Sequence, residues 1–306
     1  MRLLLLVSAL AASACAQAPA EAADPGRRAD SVVTRPDAAE IPGDGPTLSD
    51  GDVTTGSRDT LAVTDIRIPL GDGAIVARVS TAPITDRLAS PGFEAVPLNA
   101  LNLHDDESTS VEAALAVVRE LGGRVVELRH SGERNLTFAV GGATFRADPN
   151  RVFTDAGRRR TLASLSAATP AALAALEAFA DSALAVYAAV PAGVVLTLHN
   201  NTDDNYSARS YAPGGEYASD AAAVTVHPGT DPDDFFFVTD RALYDALAEA
   251  GFNAVLQDND AATDDGSLSV WAARRGVPYV NVEAQHGHVE AQAQMIRALV
   301  GVLSRQ

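Results

Sequence analysis

No lysine occurs anywhere in the 306 residues, so all 23 basic side chains are arginines. That absence removes the chemistries that need a lysine: a Walker-type phosphate loop, a Schiff base and Ser-x-x-Lys acyl transfer. A single cysteine, Cys15, excludes an intrachain disulfide and a cysteine-ligated zinc site. Any metal must therefore be held by histidine and carboxylate. Arginine is outnumbered by 40 acidic residues, giving a formal net charge of -17. That balance leaves no basic surface for a phosphate backbone, so no nucleic-acid partner is expected. A G-x-S-x-G nucleophile elbow is missing too, and Gly71-Asp72-Gly73 lacks the third glycine and the helix of a dinucleotide-binding turn. Repeats at solenoid-like periods are likewise absent.

What is present begins with an address. Met-Arg is followed by the apolar run 3–10 and a string of small residues, the pattern of a secretory signal over 1–15. Cys15, behind Ala12-Ser13-Ala14, sits where a bacterial lipoprotein signal places the residue that receives lipid, so the stretch resembles a lipobox with Ala12 in place of the usual Leu. The expectation is an exported chain, anchored by lipid at Cys15 in the cell envelope, periplasmic or surface, with membrane contact through that anchor only. Residues 16–60 are rich in Ala, Asp, Pro, Gly, Ser and Thr without apolar periodicity, which reads as a disordered acidic linker.

From 61 to 306 the pattern changes, and 47% hydrophobic content is ample for a core. Short β-like runs fall at 65–69, 74–80, 95–103, 124–128, 136–140, 194–198, 223–226, 235–238, 254–256 and 279–282. Helical patterns fall at 110–121, 170–188, 240–250, 267–275 and 290–303. Met295, Ile296, Leu299, Val300 and Leu303 make a stripe at helical spacing that reads as core-facing. The alternation predicts one α/β domain with a mixed, mainly parallel sheet sandwiched between helices, and a ligand site beyond the carboxyl ends of the strands.

Four polar groups sit at such strand ends. His104 and Glu107 form an H-x-x-E where a strand passes into a helix. Asp148-Pro149-Asn150-Arg151-Val152-Phe153 follows two β-like runs. His199 closes a third strand, and Glu283 leaves a fourth. Two imidazoles and a carboxylate, His104, His199 and Glu107, can hold one Zn2+ and leave a position open for water. Glu283 can act as general base, and the Asn150–Arg151 pair can clamp a substrate carboxylate. H-x-x-E alone is a weak signal; the four pieces in this order are much stronger.

With these motifs the sequence resembles the zinc carboxypeptidase superfamily, closest to its aspartoacylase and succinylglutamate desuccinylase branch. The resemblance spans about 95–303. It implies an eight-stranded mixed sheet between helices, one zinc on His104, Glu107 and His199, substrate binding by Asn150 and Arg151, and Glu283 as catalytic base of amide hydrolysis. Asp105-Asp106 departs from the family pattern by placing extra negative charge beside the metal. Arg134, Arg146 and Tyr279 are the candidates for the family's further substrate arginine and tyrosine. The expected activity is zinc-dependent cleavage of a peptide or amide bond adjacent to a carboxylate, with a small peptide or N-acyl amino acid as substrate and, from the address alone, cell-envelope peptides as the natural class. The alternatives are an N-acyl amino acid deacylase and a non-catalytic envelope lipoprotein on the same fold. The acid-rich loops 201–205, 231–234 and 258–265 lack calcium-loop spacing and read as solvated. His286 and His288 read as surface residues, and His130 and His227 carry no motif.

Overall fold

The computed structural model describes residues 61–84, 97–188, 193–203 and 205–305. The signal at 1–15 with Cys15, and the linker at 16–60, lie outside the described residues.

Eleven strands and six helices are described. In chain order they are β1 (Ala62–Leu70), β2 (Gly73–Ala82), β3 (Leu98–Asn102), α1 (Ser108–Leu121), β4 (Gly123–Arg129), β5 (Leu136–Val140), β6 (Ala143–Ala147), α2 (Asp155–Leu165), α3 (Pro170–Tyr187), β7 (Val195–Asn201), β8 (Ala221–Thr225), β9 (Phe235–Val238), α4 (Arg241–Glu249), β10 (Ala254–Gln257), α5 (Leu268–Ala273), β11 (Tyr279–Gln285) and α6 (Val289–Leu303). Nine strands form one sheet in the order β1-β2-β4-β3-β7-β11-β9-β10-β8, and β5 pairs with β6 in a separate hairpin. The sheet is mixed, as its sequence pattern implies. Parallel and antiparallel pairs are equal in number among the described residues, so it is more evenly mixed than mainly parallel. The parallel ladder β4-β3-β7-β11 is its centre.

Alternation along the central strands divides the interior into two cores. Leu196 and Leu198 of β7, Phe236 and Val238 of β9, and Val280 and Val282 of β11 pack with α1, α4 and α6. The opposite phase of these strands, with Val195, Phe235, Phe237 and Tyr279, packs with α2, α3 and α5. The α6 stripe behaves as expected: Met295, Ile296, Leu299 and Val300 are buried. Full burial of a side chain of this size stabilises the fold by about 1.5–3 kcal/mol. Because side chains alternate with period two, Thr197 and His199 share the Val195 face, and Asn281 and Glu283 share the Tyr279 face. Polar residues thus reach one side of the sheet where the central strands end.

The helix starts follow their sequence signals. Thr169 accepts the Ala172 N–H ahead of Pro170, Asp240 caps α4 and Ser267 caps α5. Two elements add to the expected set. The hairpin β5–β6 turns on Gly141-Gly142, both at positive φ (58° and 82°), the requirement of a two-residue hairpin turn. Helix α2, capped by the Thr154 hydroxyl, carries Arg158-Arg159-Arg160, which hide its short apolar face. Strand β11 runs on to Gln285, so Glu283 lies inside a strand rather than beyond its end.

Candidate metal centre

His104 follows β3 directly, and a tight turn closed by the Glu107 N–H on the His104 carbonyl (3.2 Å) brings Glu107 to the start of α1. The Glu107 side chain makes no cap hydrogen bond to the helix. It faces the sheet. His104 Nδ1 lies 2.9 Å from Glu107 Oε1 and 3.1 Å from His199 Nδ1, and His199 Nδ1 lies 3.0 Å from Glu107 Oε2. The three residues are buried, Glu107 to 1% exposure. Donor atoms around one tetrahedral zinc stand about 3.3 Å apart, so a slight widening of this triangle admits the ion. Two imidazoles and one carboxylate also match the donor set that zinc takes in open sites.

Outside the triangle, Asp148 Oδ1 lies 2.9 Å from His104 Nε2. An N–H on that nitrogen, donated to the carboxylate, leaves Nδ1 with its lone pair toward the other donors. Burial disfavours a charged His104 ring, yet the Glu107 and Asp148 carboxylates outweigh it and hold its pKa up to about 9. Burial also works against ionised Glu107, and the two imidazoles reverse that, keeping its pKa well below the ordinary value. Asp148 is lowered in the same way, against burial, chiefly by His104. At His199 burial wins and the pKa falls.

Glu283 pairs with His199 in the parallel register of β11 and β7, which sets the two on one face. Burial, reinforced by the Glu107 charge, pushes its carboxyl up to about 8, and a 2.8 Å hydrogen bond from Asn281 Nδ2 opposes the shift. Tyr279 and Thr197 continue this network, their hydroxyls 2.6 Å apart.

Asp148 also caps the turn that presents Asn150 and Arg151, accepting the Asn150 N–H at 2.8 Å. The Asn150 amide stands 3.4 Å from His199 Nε2 and accepts the Leu268 N–H. Gly157 and Gly266 approach here so closely that a Cβ on Gly266 would strike the Arg151 carbonyl. The Arg151 side chain pairs with Asp265 (Nε to Oδ2, 3.3 Å) rather than with Asp148.

All six residues singled out at the four strand ends therefore gather in one region, with His104, Glu107 and His199 in mutual contact. Of the further candidates, Arg134 reaches Glu107 Oε1 at 2.7 Å and Asp148 Oδ2 at 3.8 Å. Tyr279 lines a cavity that it shares with Asn150 and Arg151. Arg146 is exposed on β6, away from both. Asp105 has a different task from the one its charge suggested. Its carboxylate takes the N–H groups of His130, Ser131 and Gly132 at 2.7–2.8 Å, fastening the loop that leads to Arg134. His288 is paired with Asp234 at 3.0 Å, and His286 is exposed. Sequence reasoning missed Tyr206 and Tyr211, whose hydroxyls are 2.6 Å apart, and Asp265; these stand beside Arg151 without any local motif.

The course of the chain is similar to that of murein-tripeptide amidase from Escherichia coli O157, at 15% identity over 81% of this chain and 94% of that one, with a TM-score of 0.41. It is also similar to succinylglutamate desuccinylase from Vibrio parahaemolyticus, at 12% identity over 81% of this chain and 69% of that one, with a TM-score of 0.38. No protein-family model matches the chain, and no curated protein does.

Asp148 holds the His104 ring from outside the triangle, so replacing it tests the triangle as a metal site without removing a donor. Asp148→Asn is expected to lower zinc affinity about 10–100-fold while leaving the circular-dichroism spectrum unchanged. Unaltered affinity, measured by competition with a chelator, contradicts the role given to Asp148.

Proposed function

We propose that the chain is an exported, zinc-dependent hydrolase that cleaves a peptide or amide bond adjacent to a carboxylate, acting on small peptides of the cell envelope. The observation that carries this reading is the buried triangle of His104, Glu107 and His199, with Glu283 set opposite His199 on the same face of the sheet.

His104, Glu107 and His199 would hold the zinc, which would supply a Lewis acid and lower the pKa of an attacking water. The protein's own residues do the rest. Asn150 and Arg151 hold the substrate carboxylate and fix the amide beside the triangle. Glu283, on the face of the sheet it shares with His199, takes a proton from the attacking water and passes it to the departing amine nitrogen as the C–N bond breaks. Arg134, its guanidinium 2.7 Å from Glu107, places a fixed cation where the carbonyl oxygen gains negative charge. Asn281 keeps the Glu283 carboxylate in one orientation by its 2.8 Å hydrogen bond.

Glu283→Gln preserves shape and removes the base. The variant is expected to bind zinc as the parent does and to hydrolyse dipeptides and N-acyl amino acids about 10²–10⁴-fold more slowly. Parental rates in this variant remove Glu283 from the mechanism. For the address, the reading of residues 1–15 makes Cys15 the residue that receives lipid. Cys15→Ala in a bacterial host then moves the protein from the membrane to the soluble fraction, and retention in the membrane contradicts the anchor.

A further inference from the structure

Behind the sheet, on the side away from the candidate metal centre, a polar side chain is set into an apolar core. Gln292 of α6 has 0% exposure, and its helix neighbours Ala293, Met295, Ile296 and Leu299 belong to the hydrophobic cluster there. Burying a primary amide is costly unless it is hydrogen-bonded, and an aliphatic residue fills such a place without that demand. Gln292 meets the demand in full. Its Nε2 donates to the His199 carbonyl at 2.9 Å and to the Val282 carbonyl at 3.0 Å, on neighbouring strands. Its Oε1 accepts from Asn200 Nδ2 at 3.0 Å.

Asn200 carries the connection onward. Its Nδ2 also donates to the Ala284 carbonyl at 3.1 Å, and its Oδ1 accepts the Ser110 N–H of α1 at 2.9 Å. Ser110, fully buried itself, donates its hydroxyl to the Glu107 carbonyl at 2.8 Å. Side chains alternate along a strand, so Asn200 turns toward α6 while His199 turns toward Glu107 and the donor triangle. Glu283 likewise leaves β11 on the triangle's side, between the Val282 and Ala284 carbonyls that the two amides hold. The set thus grips the backbone at Glu107, at His199 and on both sides of Glu283. A buried and satisfied polar network rigidifies one arrangement of what it touches, whereas apolar packing tolerates small slides.

We propose that Gln292, linked through Asn200, is a positioning residue: from behind the sheet it fixes the backbones that carry Glu107, His199 and Glu283, and so sets the geometry between metal donors and base. The part that concerns Glu283 rests on the hydrolase reading above; the part that concerns Glu107 and His199 rests on the metal triangle alone.

The test compares the full chain with Gln292→Met, which keeps the volume and removes the amide while Asn200 Nδ2 retains the Ala284 carbonyl. Cobalt(II) is titrated into both. The melting temperature is expected to stay within about 5 °C of the parent. Cobalt affinity is expected to fall at least about tenfold, and the visible absorption of the bound cobalt to shift with the altered donor geometry. For a dipeptide or an N-acyl amino acid, kcat is expected to fall at least about tenfold with KM within about twofold of the parent, because misplacement acts on the reacting groups rather than on substrate binding. Ile296→Val, one turn further along α6, loosens the same core and is expected to keep parental affinity, spectrum and kcat, which separates positioning from loss of packing. Ser110→Ala removes the bond at the Glu107 end; it is expected to weaken cobalt binding and decides the matter if Gln292→Met does not fold. Parental affinity, spectrum and kcat in folded Gln292→Met, or parental affinity in Ser110→Ala where Gln292→Met is unfolded, overturns the proposal and leaves the hydrolase reading intact. If cobalt binding changes as expected but the parent hydrolyses neither substrate, the hydrolase reading fails and the positioning of the metal donors stands. A parent that binds no cobalt overturns both.

Discussion

A carboxylate with 1% exposure, Glu107, stands between two imidazoles, and much of the surrounding structure exists to keep it there. Burying an ion costs several kcal/mol even after relaxation, and the cost is met only by close partners of opposite charge or by a metal. His104, His199 and Arg134 all lie within 3.0 Å of its oxygens. Each partner needs its own support. His104 is backed by Asp148, and the loop before Arg134 is fastened by three N–H groups donated to Asp105. Asp148 then organises the turn that carries Asn150 and Arg151. One buried charge therefore links His104, His199, Arg134 and the turn that carries Asn150 and Arg151 in a single electrostatic unit.

The sheet makes that unit possible by bringing distant residues into register. His199 and Glu283 are 84 positions apart in sequence and directly opposite in space, because β7 and β11 run parallel as neighbours. Their shared face follows from the two-residue period of a strand, which also sends Leu198 and Val282 into the core behind them. The same alternation explains how Glu283 can be buried among polar groups while its neighbours are aliphatic. Burial raises its proton affinity toward neutrality, and Asn281 restrains the rise, so the strand that delivers the carboxylate also delivers the residue that tunes it.

The strand ends that carry chemistry were legible in the sequence because each leaves a local mark: an apolar run stops, and a histidine, a carboxylate or an Asn-Arg pair follows. That is why His104, Glu107, Asn150, Arg151, His199 and Glu283 could be singled out. Features without a local mark were not. Tyr206 and Tyr211 meet Arg151 through a long segment with little regular structure, and Asp265 reaches it from just ahead of α5. Arg151 therefore pairs with Asp265, distant in sequence, while the nearby Asp148 is taken by His104. Helix α2 was hidden because Arg158, buried to 9% exposure, spends its charge on the Val152 carbonyl and Glu177 and so looks polar while packing as core. Strand β6 is the exception: Gly141-Gly142 is a local hairpin mark, and both residues take the positive φ that such a turn requires. Asp105 was counted as negative charge on the metal, and only three-dimensional structure shows its charge consumed by backbone donors.

The central claim is that His104, Glu107 and His199 converge to hold one metal ion, and elemental analysis of the purified folded chain tests it most directly. The account predicts one zinc per chain in the parent and a near-complete loss in His104→Ala. A parent that takes up no zinc after incubation with the metal, or a His104→Ala chain that retains it in full, contradicts the account.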